Sequence, residues 1–151
     1  MLRDVVESDL RTLFEHQLDS DATRAAGFPA RDWDAFLAHW KDRVFADPTN
    51  QAMAIIVGPR IAGYVASWDS DGKRMIAYWT GREYWGRGVA TAAVNEFLRA
   101  HEQRRPIYAY VAIANVGSIR VLEKCGFHRC SDPGAGPDVA EEFLFQFDGT
   151  T

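Results

Sequence analysis

The sequence predicts an α+β domain built on a mixed sheet, and three observations carry that reading. Two apolar runs, Met53 to Val57 and Ile61 to Trp68, are separated only by Gly58-Pro59-Arg60, which reads as an antiparallel hairpin. A strand from Arg74 to about Thr80, a helix from Gly88 to Glu102 and a strand from Ile107 to Ala112 imply a parallel pair joined by a right-handed crossover. Two amphipathic helical patterns precede the hairpin.

Taken in order, Leu2 to Val5 is a short opening strand, after which Ser8 caps a helix with Leu10, Leu13, Phe14 and Leu18 on one face. Ala25 to Ala30 breaks that helix. Trp33, Phe36, Leu37, Trp40 and Val44 then recur at three- and four-residue steps, the spacing of a second amphipathic helix. Asp47-Pro48-Thr49-Asn50 is a stop and turn before the hairpin, and Ser70-Asp71-Gly72 is the turn after it. Arg104, Arg105 and Pro106 end the crossover helix. Asn115 opens a further helix that closes at Gly126, a residue suited to a left-handed cap. Ser131 to Asp138 reads as a loop by its Pro and Gly density, between last strands at Phe127 to Ser131 and Val139 to Phe147.

Length and composition bound the function. With 151 residues, 47% of them hydrophobic, residues 1–151 are expected to form a single domain that fills its core without metal or disulfide. A net charge of −4 and the lack of a long basic run argue against a nucleic-acid partner and suit a basic or amine-bearing one. Cys125 and Cys130 are too few for a disulfide framework, so a reducing, cytoplasmic setting is expected. His16, His39, His101 and His128 show no metal or triad spacing, and no metal is expected. The charged N-terminus has no signal-peptide core, and no window has the length of a membrane span.

The chain is organised around YWTGREYWGRGVAT, Tyr78 to Thr91: a strand end, a glycine-bearing turn and the start of a helix. The first N–H groups of a helix lack partners within it, so a turn with Gly86 and Gly88 lets an anion approach them without meeting a Cβ. Arg87 adds a charged fork. The nucleoside-triphosphate loop is excluded because Val89 and Ala90, not Lys and Ser or Thr, follow Gly88. The dinucleotide fingerprint is excluded because Thr91 stands where a third glycine is needed. A plain β-α connection remains the alternative.

Trp85-Gly86-Arg87-Gly88-Val89-Ala90 resembles the acyl-CoA signature of the GNAT N-acetyltransferase superfamily at Gly88 and Ala90, with Trp85 where Gln or Arg is usual. The string Tyr84 to Gly88 is similar to the branch that acetylates the N-termini of ribosomal proteins. Downstream, Asn115, Ser118 and VLEKCGF (Val121 to Phe127) resemble that branch's closing motif, so the likeness covers roughly the C-terminal half.

The resemblance implies a GNAT-like mixed sheet, with central antiparallel strands and a splayed parallel pair, flanked by about four helices. It also implies acetyl-CoA as co-substrate and a primary amine as acceptor, either a small molecule or a protein N-terminus. Tyr78, Trp79 and Thr80 would pair with the pantetheine arm, while Trp85, Gly86, Arg87, Gly88, Val89, Ala90 and Thr91 would surround the pyrophosphate. Tyr78 and Trp79 are equally ordinary strand aromatics. Alternation puts them on opposite faces, so only one is expected to face the acceptor, with Tyr78 favoured. Asn115 reads as a helix N-cap, a cofactor ligand, or both. Ser118 either satisfies a neighbouring backbone group or, as the resemblance implies, donates a proton to the leaving thiolate. The tyrosine that many members place just before the Glu-Lys pair is replaced by Leu122.

Direct attack of the neutral amine is expected, with a backbone N–H near Trp79 as oxyanion donor. Among the carboxylates, Asp69, Asp71 and Glu83 read as solvated, and Glu141 or Glu142 is the candidate base. Phe28, Trp33, Trp68 and Tyr78 are the candidate acceptor walls, although core packing explains Trp33 just as well. A homodimer is compatible with the resemblance, although no apolar patch in the sequence demands it. The competing reading is a CoA-binding regulatory or interaction module that has lost turnover, consistent with Leu122 and the undefined base.

Overall fold

The computed structural model describes residues 1–19, 23, 30–130, 134–135 and 141–149. Strands β1 (Leu2–Asp4), β2 (Gln51–Val57), β3 (Arg60–Ser70) and β4 (Lys73–Thr80) pair antiparallel in that order. Next comes β5 (Ile107–Ala112), parallel to β4. Its other edge pairs antiparallel with β8 (Glu141–Phe147), which also holds β6 (His128–Arg129) and β7 (Gly134–Ala135). Helices α1 (Leu10–Gln17), α2 (Trp33–His39), which runs on into a π-helical turn at Trp40–Val44, α3 (Val89–Ala100) and α4 (Val116–Lys124) flank the sheet, with short 3-10 turns at Glu7–Asp9 and Arg82–Tyr84. The result is the mixed sheet with one parallel pair that the sequence predicts.

Strict alternation along β2 feeds two apolar clusters on opposite faces of the sheet. Met53 and Ile55 join Val65, Ile76, Val94, Phe97, Ile107, Leu122 and Phe145 under α3 and α4. Ala54 instead joins Leu10, Leu13, Phe14, Phe36 and Trp40 under α1 and α2. Phe97 and Leu10 are fully buried, and each such side chain stabilises the fold by about 1.5–3 kcal/mol. The β3 strand breaks the alternation. Ile55 pairs with Gly63 and Ile56 with Ile61, so Ala62 is an extra residue, a bulge that sends both Ile61 and Tyr64 to the α1/α2 face.

Turn chemistry fixes the next register. Ser70 pairs with Lys73, leaving Asp71 (φ 51°) and Gly72 (φ 76°) as a two-residue turn whose central positions are both left-handed.

Three expectations are corrected. Ser8 is not a cap: the entry to α1 is held by Asp9, whose carboxylate accepts from Val6 N–H and from the Arg3 guanidinium. Leu18 is 55% exposed, and Gln17 takes the inward position because its amide clasps both the N–H and the carbonyl of Arg31. The stretch read as a plain loop from Ser131 to Asp138 contains β7. The other residues of that stretch, those at 25–29 of the predicted helix break, and the start of the last strand at 139–140 lie outside the described residues.

Candidate active site

The site comes from an interrupted pairing. Only Arg74↔Ile107 and Met75↔Tyr108 pair between β4 and β5, after which each strand stays with its outer neighbour, β4 with β3 as far as Thr80↔Gly63 and β5 with β8 as far as Ala112↔Glu142. A V-shaped gap opens between them. Gly81 N–H donates to Ala62 O, which turns the polar groups of residues 79 and 81 toward β3; by alternation those of Tyr78 and Thr80 face the gap. Trp85 Nε1 donates to Thr80 O at 3.1 Å, as that orientation requires.

The gap is the heart of a cleft of about 730 Å3, lined by residues 76–80 of β4, 109–112 of β5, the turn at Trp85, Gly86 and Gly88, the start of α3, and one side of α4 from its Asn115 cap to Lys124. That volume is in the range of sites for sizeable small molecules. At one end lies the glycine turn. Gly86 (φ 72°) and Gly88 (φ 76°) are both left-handed, and a Cβ at either would meet nothing within 4 Å. Backbone conformation therefore demands glycine there, and open space remains for a ligand. Gly88 precedes α3 without a side-chain cap, and the first helical bond runs from Ala92 N–H to Gly88 O. The N–H groups of Val89, Ala90 and Thr91 thus emerge from the helix end, where the dipole favours an anion. A phosphate-type anion fits this helix end.

Tyr78 crosses the gap. Its hydroxyl lies 2.6 Å from Ser118 Oγ and 3.0 Å from Ser118 O, tying β4 to the first turn of α4. Burial, partly offset by the Ser118 hydrogen bond, pushes the phenol well above its ordinary pKa, so it stays protonated. Asn115 lines the cleft and caps α4, its Oδ1 accepting from Ser118 N–H at 3.2 Å. Leu122, 1% exposed, belongs to the core.

Other expected residues fall elsewhere. Arg87 lies outside the lining, its guanidinium 5.7 Å from the Tyr84 ring and bonded to Glu83 O. Trp33 does not line the cleft: it packs edge-on against Phe14 and carries the Arg11 guanidinium at 4.9 Å. Trp68 pairs with Met75, at the closed end of the V, so it cannot wall the open end. Phe28 lies outside the described residues. Tyr78 and Trp79 both line the cleft, because it passes between the splayed strands and reaches both faces of the sheet. Of the two candidate bases, Glu142 lines the cleft while Glu141 is exposed at the start of β8.

Sequence reasoning missed Tyr64, Arg120 and Lys124, all in the lining. For the last two a signal was available: Gly117, Arg120, Val121 and Lys124 recur at helical spacing on one face of α4. Among the described residues no group of three metal-binding side chains stands together, and no helix is long and apolar enough to cross a membrane.

Residues 1–128 match the acetyltransferase (GNAT) domain family. The chain belongs to that family. It is thus a GNAT acetyltransferase domain. No curated protein matches it by sequence. Among solved structures it is similar to the aminoglycoside acetyltransferase AAC(6')-Ib in complex with coenzyme A, at 21% identity over 99% of this chain and 94% of that one, with a TM-score of 0.81. The spermidine N-acetyltransferase from Vibrio cholerae, in complex with CoA and spermine, is 15% identical over 98% and 94%, also at 0.81. A GNAT-family acetyltransferase from Bacillus anthracis is 17% identical over 97% and 93%, at 0.77. At these identities the GNAT neighbours attest the fold.

Proposed function

We propose that this GNAT domain acetylates the primary amine of a small molecule by direct attack of the neutral amine on the thioester. The observation that carries the reading is the continuous cleft running from an uncapped, glycine-turned helix end into the gap between β4 and β5. Acetyl-CoA supplies an acyl group already activated as a thioester. Residues Gly86 to Thr91 hold its pyrophosphate through backbone N–H groups, and Trp85 packs beside them. Tyr78 and Thr80 offer the gap-facing backbone groups that pair with the pantetheine arm, which extends past Trp79 and Asn115. One of those N–H groups serves as oxyanion donor, a contribution worth about 2.7–4 kcal/mol in comparable sites.

Glu142 receives the proton the amine sheds, and Ser118 faces the leaving sulfur. Base demand depends on the acceptor: an alkyl amine has a pKa near 10.4 and an α-amine near 8, a difference of roughly 3 kcal/mol at neutral pH. A carboxylate beside the acceptor matters more for the former. The aminoglycoside and spermidine enzymes that share this fold act on small molecules carrying such amines, which supports that class here. The Tyr84 to Gly88 string supports a second reading, a protein N-terminus as acceptor. A cytoplasmic location, where acetyl-CoA and free thiols coexist, belongs to the same proposal.

The test is thermal unfolding with acetyl-CoA, with phosphate and NAD as controls, followed by turnover against an aminoglycoside, spermidine and a peptide with a free N-terminus. Acetyl-CoA at a hundredfold excess over its Kd should add about 2.7 kcal/mol, a rise of roughly 5 to 10 °C. A rise with acetylation of the small amines supports the proposal. Acetylation of the peptide alone favours the second reading, and a rise without any turnover returns the chain to a CoA-binding module.

A further inference from the structure

The Tyr78–Ser118 contact poses a question of donors. Tyr78 has one hydroxyl proton and two acceptors within reach on Ser118, the carbonyl at 3.0 Å and Oγ at 2.6 Å. If the phenol donates to the carbonyl, Ser118 Oγ must donate to the phenol oxygen, and the serine proton is engaged within the protein. If the phenol donates to Oγ, the serine proton is released to point into the cleft. The heavy atoms need not move between these arrangements.

Ser118 is also placed unusually for a serine in the first turn of a helix, where the hydroxyl commonly bonds a local backbone group. Its backbone N–H is already taken up by Asn115 Oδ1, while its Oγ is met by a side chain from a strand forty positions earlier, across the gap. The phenol is protonated throughout the working pH range, because burial disfavours the phenolate.

Resting on the acetyl-transfer reading above, we propose that Tyr78 is a positioning residue that fixes the Ser118 hydroxyl and, by donating to Oγ, directs the serine proton at the leaving sulfur. Tyr78 gives up no proton in this role. The pair turns a freely rotating serine into an oriented donor and supplies, from β4, the phenol that Leu122 does not. A donor aimed before the reaction incurs no reorganisation when charge appears on sulfur.

The experiment is a double-mutant cycle in the full chain: wild type, Tyr78→Phe, Ser118→Ala and the double variant, each assayed for kcat and for the KM of acetyl-CoA. Tyr78→Phe keeps the ring and its packing; unfolding with and without acetyl-CoA establishes that each variant is folded and binds. The expected result is a fall in kcat of about tenfold or more for either single variant with KM little changed, and a double variant no slower than Ser118→Ala alone. Ser118→Thr, which restores a hydroxyl, should recover part of the rate only when Tyr78 is present. Losses that multiply in the double variant, or a rise in KM with kcat intact, would overturn the proposal in favour of a strut that merely sets cleft width. Wild-type activity in Tyr78→Phe would overturn it while leaving acetyl transfer standing, whereas absence of turnover in the wild type overturns both.

Discussion

Arg74 Nε donates to Glu102 Oε1 at 2.7 Å, with both side chains buried, at the vertex from which β4 and β5 diverge. Ser67 Oγ donates to the same carboxylate oxygen at 2.6 Å, and Arg74 Nη2 reaches Thr49 O at 2.8 Å. The network pins the closed end of the V. Burial works against the Glu102 carboxylate, but hydrogen bonds from Ser67, Arg74 and the Arg104 N–H outweigh it and hold its pKa below the usual range.

Glu102→Gln should therefore destabilise the chain at neutral pH by about 3 kcal/mol, since it leaves the buried guanidinium without its strongest partner. The sign of the pH dependence follows from the lowered pKa. Stability from a carboxylate whose folded pKa is depressed is fully present above its unfolded pKa, about 4.3, and is lost as pH falls through the folded value. Urea unfolding of both proteins from pH 7 downward should show a constant difference that narrows only below that point. A difference that stays constant through the acid range would mean the charge is not what stabilises.

Gly63 makes a steric prediction at the open end. A Cβ there would collide with the carbonyl oxygen of Trp79, a main-chain atom that cannot swing aside. Gly63→Ala should cost about 1–3 kcal/mol and, by displacing β4 beside Tyr78 and Thr80, shrink the stabilisation given by acetyl-CoA. Gly117→Ala is the control. A Cβ at Gly117, in the first turn of α4, meets nothing within 4 Å, so the ligand-free chain should gain roughly 0.5–1 kcal/mol.

The contrast between these glycines marks what the sequence could disclose. Hairpins, crossover and glycine turn are local facts: alternating apolar residues, Asp71-Gly72 between strands, and Gly86 and Gly88 before a helix each state their conformation within a few residues. The bulge at Ala62 leaves no such trace, because one extra residue in an apolar run looks like any other. Tyr78 meets Ser118 only because β4 and β5 part, a relation no window of sequence contains. The aromatic character of Trp33 and Trp68 suits an acceptor wall but does not say which face or which end of a strand they occupy. Gln17 is the converse case: a polar residue reads as outward-facing, yet this one is buried because Arg31 satisfies its amide.

Gly88 separates backbone strain from anion binding. Both Gly88→Ala and Gly88→Glu place a side chain at φ 76°, at a cost of about 1–2 kcal/mol, and both should lower the unfolding midpoint of the free chain by similar amounts. Only the glutamate brings charge to the helix end. Acetyl-CoA should still raise the midpoint of the alanine variant, whose Cβ has room, and should fail to raise that of the glutamate variant. Equal failure of both would mean the left-handed turn itself, not its charge environment, creates the site.

The thiols test whether transfer is direct. Cys125 is buried against α3, its Sγ donating to Thr91 O at 3.6 Å, and burial pushes its pKa up to about 11. At neutral pH only about one molecule in ten thousand would carry that thiolate, a poor nucleophile for an acyl-enzyme route. Cys130 is exposed and donates to Leu144 O, away from the cleft lining. Iodoacetamide should therefore label Cys130 rapidly and Cys125 only after unfolding, and Cys130→Ser should retain acetyl transfer. Mixed with acetyl-CoA but no amine, the wild type should keep its unmodified mass. An acetylated Cys125 that forms and decays at the rate of turnover would replace direct attack with a two-step mechanism, and would require the cleft to open toward α3 in a way the packing of Cys125 against Thr91 opposes.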